Sequence, residues 1–378
     1  MKQYWMFFIA FISFLTQAQD HKQLADNYYS LGNYNKAIYH LYQLPESKAQ
    51  QLKLAKSYEH IGNLKSATAY YDLLYSEYTN DVFIAFDYAK LLIKTSKNTQ
   101  AQNILMSLME IDSLNPNFPY QLGLLKEQQK DTLAQHFFKR AFTLDNQFFP
   151  AALKVASEKI RLKTFKEAEN ILDAIIEIDN THFQAWNLKA LNHFYEQDYH
   201  KAIEAYSKLI ELNRPSENVH QKLGYSYMRT MRPEKAIEHY TVAINEFDDK
   251  NPQTHFEICQ VYMTLRDFEK AERHIQIAIF LKEPQLEQEY ITLFDIYNRQ
   301  RDYRKAFEAI REAIQVYPEN EFFVYHYAVT ADNYFKDKTQ VLIQYENYMK
   351  KFGTTGRYRL LASERISDLK KEIHLTQD

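Results

Sequence analysis

Nine alanines recur along the chain at steps of 30 to 35 residues, most of them 34 or 35. They are Ala37, Ala67, Ala101, Ala134, Ala168, Ala202, Ala236, Ala271 and Ala306. A period near 34 residues indicates one supersecondary unit copied many times. Such units stack on their neighbours and share a continuous core, so the period constrains the architecture more than the chain length does.

Each copy contains two helical stretches joined by a short polar turn. Around Ala202, apolar residues recur at offsets of 3, 4 and 7 on both sides of Glu196-Gln197-Asp198, which places them on one face of each helix. Small residues of the first helix, such as Ala190 and Gly224, are expected to face the repeated alanine of the second. Two helices approach closely only where their side chains are short.

These residues resemble the tetratricopeptide repeat (TPR) family, whose unit is a helix-turn-helix of 34 residues. The resemblance is carried by Leu223-Gly224-x-x-Tyr227 with Ala236-x-x-x-Tyr240-x-x-Ala243, and by Tyr297, Tyr303, Ala306, Ile310, Ala313 and Pro318. It covers roughly residues 20 to 350, in about ten copies. It implies an all-α fold: a right-handed superhelical α-solenoid of helix-turn-helix repeats with a C-terminal capping helix.

Some copies depart from the pattern. The copy around Ala134 is one residue short at Lys130-Asp131-Thr132, and the copy around Ala101 is followed by an insertion with Asn115-Pro116. The last copy, 321–352, lacks the repeated alanine and has a longer turn. The register is therefore most regular between 149 and 320.

The N-terminus predicts a signal peptide at 1–18, followed by the solenoid at 19–352 and the capping helix at 353–378. Met1-Lys2 begins the chain with a positive charge, an apolar run follows from Tyr4 to Leu15, and Thr16-Gln17-Ala18 has the small residues of a cleavage site. The run is too short for a membrane span. The alternative is a buried N-terminal helix.

A cleaved signal peptide predicts an exported protein, periplasmic or extracellular. We expect no membrane span in the mature chain, because no later segment is apolar for 18 residues. We also expect no lipid anchor, because the only cysteine is Cys259, far from the cleavage site. A single cysteine also predicts no intramolecular disulfide.

The sequence predicts neither catalysis nor a cofactor or metal site. The six glycines form no phosphate-binding loop, and the thirteen histidines have no metal-ligand spacing. Cys259 occupies the small-residue position of its first helix and is expected to be a packing residue rather than a nucleophile. The net charge of −3 offers no basic surface for nucleic acid.

The aromatic content is high, with thirty tyrosines. Eleven fall on repeat packing positions and are expected to lie in the core: Tyr28, Tyr34, Tyr58, Tyr71, Tyr199, Tyr206, Tyr227, Tyr240, Tyr262, Tyr297 and Tyr303. The remaining aromatic residues are where a binding surface is expected.

The resemblance implies that the first helix of each unit lines a concave groove. By register this predicts the partner-binding residues Asn187, Phe194, Tyr195, Gln221, Tyr225, Met228, Arg229, Phe256, Gln260, Asp295, Asn298 and Arg299, with Leu191, Met263 and Thr292 beside them. Amides pair with peptide groups, aromatic rings receive side chains and arginine binds a carboxylate, so the mixture suits an extended peptide. The alternative is a solvated groove without a ligand.

Near Arg357 a last helix is expected to begin, with Tyr358, Leu361, Ala362, Ile366, Leu369 and Ile373 on its apolar face. One apolar and one charged face are what a solenoid cap requires. The alternative for this helix is a docking site for a partner.

The function predicted is a non-catalytic, exported scaffold that binds a protein or peptide. Two other classes stay open. A glycan-binding protein would stack sugars on exposed Tyr195, Tyr225, Phe256 and Tyr290, whereas an enzyme would need paired acids facing one cavity. Asp295 is the only acid in the predicted groove set.

Overall fold

The structure is a computed structural model that describes residues 19–282 and 287–375. These residues are helical and contain no strand, which confirms the predicted all-α class. The predicted signal peptide lies outside the described residues. The described residues divide into two compact units, one ending at Asn180 and the other beginning at Thr181.

The first unit consists of helices that pack in sequential pairs, each joined by a short turn. They are α1 (19–30), α2 (Tyr34–Leu41), α3 (Lys48–His60), α4 (Leu64–Glu77), α5 (Val82–Lys94), α6 (Asn98–Ile111), α7 (Asn117–Gln128), α8 (Ala134–Leu144), α9 (Phe149–Arg161) and α10 (Phe165–Ile178).

The second unit continues the same pairing. Its helices are α11 (Phe183–Glu196), α12 (Tyr199–Glu211), α13 (Glu217–Arg229), α14 (Pro233–Val242), α15 (Pro252–Leu265), α16 (Phe268–Leu281), α17 (Glu287–Gln300), α18 (Tyr303–Val316), α19 (Glu321–Tyr334), α20 (Lys338–Phe352) and α21 (Arg359–Leu375). A π-helical turn, Ala243–Phe247, extends α14.

The core of each pair follows the repeated alanine. All nine of these alanines are buried. Twelve residues earlier, on the first helix, most pairs have a fully buried small residue: Ala25, Ala55, Ala89, Ala156, Ala190, Gly224 and Cys259. Four residues after the alanine the second helix has a large apolar side chain, such as Tyr206 or Tyr240, which fills the space that the small residue leaves.

The copy around Ala134, which is one residue short, shows how the missing residue changes the helix pair. Helix α8 begins at Ala134 itself, whereas the other second helices with a repeated alanine begin three residues before it. Gly123 takes the small-residue position, one residue closer in sequence than in other copies. A Cβ on Gly123 would lie 2.5 Å from the Phe138 ring, so α7 and α8 still pack closely.

Most of the eleven tyrosines assigned to the core lie there. Tyr71, Tyr206, Tyr240 and Tyr297 are buried, and most of the others are half-buried. Tyr303 is 37% exposed at the start of α18, so its assignment to the core was wrong. The first position of a helix projects beyond the packing interface of the pair.

The last helix, α21, begins at Arg359, two residues after the predicted start, and packs on α20. Its buried residues are Ala362 and Leu369, whereas Leu361, predicted on the apolar face, is 56% exposed. Arg365 bonds Asp332 of α19 through two nitrogens, at 2.6 and 3.0 Å. This bidentate pair ties α21 to the last helix pair.

Candidate functional site

All twelve predicted groove residues lie on first helices of the second unit, namely α11, α13, α15 and α17. Tyr195, Arg229 and Arg299 are exposed, and the other nine are half-buried. The register carried over from the repeat therefore selected side chains at the surface of the helix pairs. The structure places half of them in two local arrangements.

The first arrangement is a set of aromatic rings around one arginine, which we call the aromatic–arginine cluster: Phe194, Tyr195, Tyr199, Tyr225 and Arg229. The Tyr225 ring lies 5.3 Å from Phe194 and 5.8 Å from Tyr199, and Phe194 lies 5.9 Å from Tyr195. These separations are typical of packed aromatic pairs. Tyr195 is 55% exposed, so the cluster opens to solvent at this ring.

The charge in this cluster is positive. The Arg229 guanidinium lies 5.1 Å from the centre of the Tyr199 ring and donates a hydrogen bond of 3.2 Å to the Tyr225 hydroxyl. This hydrogen bond raises the pKa of Arg229, with a smaller contribution from Tyr199. Lys222 lies 4.2 Å from the Phe194 ring. Cation–π contacts hold both cations over aromatic faces while their outer sides meet water.

The glutamines of the set contact the neighbouring first helix. The Gln221 amide donates to Thr254 Oγ1 at 2.6 Å and to Glu217 Oε1 at 2.8 Å. Gln260 donates to Thr292 Oγ1 at 3.5 Å. Both N–H groups of Gln221 are therefore used within the protein, and a peptide could take them only by displacing these contacts.

The second arrangement is an open cavity of about 370 Å³ along α15, α17 and α19. Its lining residues are Gln260, Met263, Gln288, Ile291, Thr292, Phe294, Asp295, Phe322 and His326. Gln260 and Asp295 are among the twelve predicted groove residues, and Met263 and Thr292 are the residues predicted beside them. Consecutive first helices thus line one concave surface in this part of the unit.

Sequence reasoning missed the contribution of α19 to this cavity. His326 lies 4.1 Å from the Phe322 ring and 5.0 Å from the Phe294 ring. Burial lowers the pKa of His326 to about 4, so the imidazole is neutral at pH 7. Its Nδ1 is buried without a hydrogen-bond partner. The signal was present, because 321–352 is a helix pair, but that copy lacks the alanine that sets the register.

The remaining predicted residues take individual positions. Asp295 pairs with Arg299 one helical turn away at 2.9 Å. Met228 packs against the core cluster that contains Tyr240, and Phe256 packs against the core cluster that contains Cys259. Asn187 and Asn298 are half-buried on α11 and α17. Met228 and Phe256 thus contribute to the packing of the repeats as well as to the surface.

The aromatic residues considered for sugar binding do not form one exposed surface. Tyr290 is only 7% exposed, so its prediction as an exposed residue was wrong. Tyr225 and Phe256 are half-buried, and Tyr195 alone of the four is exposed. Tyr290 packs with Leu293 and Ile296 because it faces the helix pair rather than the groove.

Cys259 is buried, as predicted, and its burial raises the pKa of the thiol to about 12. A buried, protonated thiol is unreactive. Within residues 19–282 and 287–375, no three His, Cys, Asp or Glu residues are grouped as ligands for a metal ion. In the same residues, no helix has the length and apolar character needed to cross a bilayer.

Comparison with known families gives one local match. The model of the tetratricopeptide repeat matches residues 183–215, which contain α11 and α12. This match supports the resemblance to the TPR family in the copy around Ala202. One curated relative, "DnaJ homolog subfamily C member 7 homolog" of Dictyostelium discoideum, is 26% identical in an alignment of 184 residues that covers 42% of this chain. The aligned part is about a third of the relative's own length, 32%.

Solved structures with similarity to about half of this chain include the following two. YrrB, described as a TPR protein with an unusual peptide-binding site, has 14% identity and a TM-score of 0.44, covering 50% of this chain and 96% of its own. Pseudomonas aeruginosa pilF has 17% identity and a TM-score of 0.43, covering 55% of this chain and 93% of its own.

Proposed function

We propose that the protein is a non-catalytic scaffold that binds a protein or peptide along the first helices of its second unit. The observation that carries this proposal is the cavity along α15, α17 and α19, because three consecutive first helices contribute to one concave surface. The cavity combines the apolar side chains of Met263 and Ile291 with the amide of Gln288, and this mixture suits a peptide.

The two arrangements suggest different contributions to binding. The cavity has Met263, Ile291 and Phe322 to receive an apolar side chain, while Asp295 and Gln288 offer polar groups at its edge. The aromatic–arginine cluster offers exposed Tyr195 and the outer N–H groups of Arg229, which suit a carboxylate next to an apolar residue. Aromatic and arginine side chains dominate protein interfaces.

The test begins with a random peptide library displayed on phage and selected on the immobilised full chain. Selected peptides are then measured against Tyr225→Ala/Arg229→Ala. Each truncation is expected to cost about 1–3 kcal/mol of binding free energy. Thermal stability should stay close to that of the wild type, since Arg229 is exposed and Tyr225 lies outside the buried core.

The matched control removes the same residue types from second helices. Tyr303→Ala/Arg273→Ala deletes a tyrosine on α18 and an arginine on α16, both exposed. Binding by this control should equal that of the wild type. A library that yields no consensus, or peptides that lose affinity equally for both variants, would contradict a site on the first helices.

We further propose that the chain is exported after removal of residues 1–18. The support is the order of a positive start, an apolar run of twelve residues and the small residues Thr16 and Ala18. Expression in a bacterial host with fractionation should give mature protein outside the cytoplasm beginning at or near Gln19. Cytoplasmic protein that retains Met1 on N-terminal sequencing would disprove export.

A further inference from the structure

Three helix pairs contain the same set of a tyrosine and two histidines, at identical spacing. The sets are His21, Tyr28 and His40 in α1/α2, His220, Tyr227 and His239 in α13/α14, and His255, Tyr262 and His274 in α15/α16. In each set the first helix supplies a histidine and, seven residues later, the tyrosine; the second helix supplies the other histidine, nineteen residues after the first. The peptide-binding proposal makes no use of these histidines.

The two imidazoles of each set contact each other across the helix pair. The Nδ1···Nδ1 distances are 2.9 Å for His21–His40, 3.1 Å for His220–His239 and 3.0 Å for His255–His274. The tyrosine stacks on the second histidine, with ring planes 5 to 17° apart. His220 and His255 are buried, at 7% and 4% exposure. These are hydrogen-bonding distances, repeated three times.

The ring positions favour a shared proton over a metal ion. A bound metal needs the two nitrogen lone pairs to converge on a third point, which brings the rings closer together. The ring centres instead lie 5.2 or 5.3 Å apart. This is about the distance expected when two imidazoles point directly at each other through an N···N contact of about 3 Å. The described residues also add no third ligand to either His. One N–H···N hydrogen bond accounts for the geometry.

The proton can be placed in the α15/α16 pair. His255 Nε2 lies 3.1 Å from the carbonyl oxygen of Asp249, so Nε2 carries hydrogen and donates to it. In neutral His255 the Nδ1 is then an acceptor, and the His274 Nδ1–H is the donor. A first added proton enters His274 at Nε2 and leaves this bond intact. A second added proton would enter His255 at Nδ1. The Nδ1–H groups of His255 and His274 would then point at each other.

The surroundings disfavour charge on these rings. Burial, then the facing histidine, lowers the pKa of His239 and of His274 to about 4. Lys235 and Arg273 act in the same direction, on His239 and His274 respectively, and Glu238 opposes them at His239. Burial also lowers the pKa of His220, against Glu246 of the π-helical turn.

The α1/α2 set is more exposed, since His21 and His40 are both half-buried. Burial and the charge of His21 lower the pKa of His40. The Tyr39 ring lies edge-on to His40, and Lys36 lies 5.1 Å from the Tyr28 ring that stacks on it. In α15/α16 the corresponding lysine is Lys270, 5.2 Å from the Tyr262 ring. A cation therefore lies near the stacking tyrosine in both sets.

We propose that the three His–His pairs are acid-sensitive closures of the hairpins α1/α2, α13/α14 and α15/α16. Neutral pairs hold the first helix to the second; a doubly protonated pair repels and lets the hairpin open. Two of the three pairs are adjacent in sequence and lie in the hairpins that contain Gln221, Tyr225, Arg229, Phe256 and Gln260. Acid therefore loosens the middle of the surface proposed to bind peptide. The acid response of the hairpins does not depend on the peptide-binding proposal.

The chain itself provides neutral replacements for the experiment. At the equivalent positions α11/α12 has Trp186 and Ala205, and α17/α18 has Tyr290 and Ala309. The test variant is His220→Trp/His239→Ala with His255→Tyr/His274→Ala, compared with His200→Ala, which removes an exposed histidine of α12. The measurement is the melting temperature of each protein from pH 7.5 to pH 4.5.

Wild type and His200→Ala should lose stability together as the pH falls below about 6.5, where the histidines of the unfolded chain take up protons while burial keeps the pKa of His220, His239 and His274 low. Allowing for partial exposure of the rings, each pair should lower the folded-to-unfolded ratio about tenfold between pH 7 and pH 5. Above pH 7 the difference in melting temperature between wild type and the fourfold variant should stay constant, because few histidines of the unfolded chain are protonated there. Equal pH dependence for all three proteins would overturn the proposal.

A second measurement uses the wild type alone and does not depend on the variant folding. Hydrogen exchange, expressed as protection factors, should show α13–α16 losing protection between pH 7 and pH 5 before α17 and α18 do. Uniform loss along the second unit would overturn local closures. Copper or zinc ions that raise the wild-type melting temperature at pH 7.5, but not that of the fourfold variant, would also overturn the shared proton in favour of a metal.

Discussion

In the hairpins α13/α14 and α17/α18, an aromatic side chain fills the space between the two helices. It comes from the second helix in α13/α14 and from the first helix in α17/α18. In α13/α14 the first helix presents Gly224 and the second presents Tyr240, whose ring would lie 2.8 Å from a Cβ added to the glycine. In α17/α18 the equivalent residues are Phe294 and Ile310, both buried. The period is the same, but the aromatic ring has moved to the first helix.

This exchange changes what the first helix offers to its neighbours. The Tyr240 ring packs against Gly224 of its own pair and shares a core cluster with Ile258 and Val261 of α15. The Phe294 ring lies 6.0 Å from Phe322 and 5.0 Å from His326, both on α19. The cavity of about 370 Å³ lies against this ring. In this hairpin the large residue at the small-residue position therefore lines the cavity proposed to bind peptide.

The largest expected effect separates the two hairpins by stability. Tyr240→Ala removes a ring that is 1% exposed and should lower the free energy of unfolding by about 3–5 kcal/mol. Ile310→Ala removes a smaller side chain at the same position and should cost about 2 kcal/mol. Urea denaturation of both variants checks this. Equal losses would mean that the ring is not the main filler of α13/α14.

A smaller effect tests the contact across α13/α14. Gly224→Ala should cost about 1–3 kcal/mol, because its new Cβ overlaps the Tyr240 ring. In a Tyr240→Leu background the same change should cost nothing, since Ala with Leu is the combination used at Ala89 and Leu105 of α5/α6. A double-mutant cycle by urea denaturation measures the coupling. Additive effects would show that the two residues do not meet.

The unpartnered imidazole of His326 tests the cavity side of α17/α18. His326→Phe should raise the free energy of unfolding by about 1 kcal/mol at pH 7, because it removes a buried polar atom without a partner. The gain should grow as the pH falls from about 6.5 towards 4, since only the unfolded wild-type histidine takes up a proton there. Thermal melts at several pH values measure it, and a constant difference would contradict the lowered pKa.

The smallest expected effect concerns the exposed residues of α17. Arg299→Ala breaks an ion pair with Asp295 whose side chains are about half exposed, so stability should change by no more than about 0.5 kcal/mol. Melting temperatures of the variant and the wild type should agree closely. A large loss would place Arg299 in the packing of the hairpin and remove it from the proposed binding surface.

The repeat pattern predicted many residues of the candidate site, but it did not predict which of them contact one another. The register correctly assigned Tyr225 and Arg229 to one first helix, because residues four apart share a helix face. It could not reveal that Phe194 of α11 and Tyr199 of α12 join them, since ring contacts between helices depend on how the pairs stack. Nor could it place His326 beside Phe294, because α19 lies in the copy without the repeated alanine.

The sequence by itself determined the helical class, the pairing of helices and the positions that face the core. It could do so because a close helix contact demands a small residue at every period, and that demand is visible in nine alanines. The tertiary structure alone decided which histidines meet. His220 and His239 are nineteen residues apart on different helices, and only the turn between α13 and α14 brings their Nδ1 atoms within hydrogen-bonding distance.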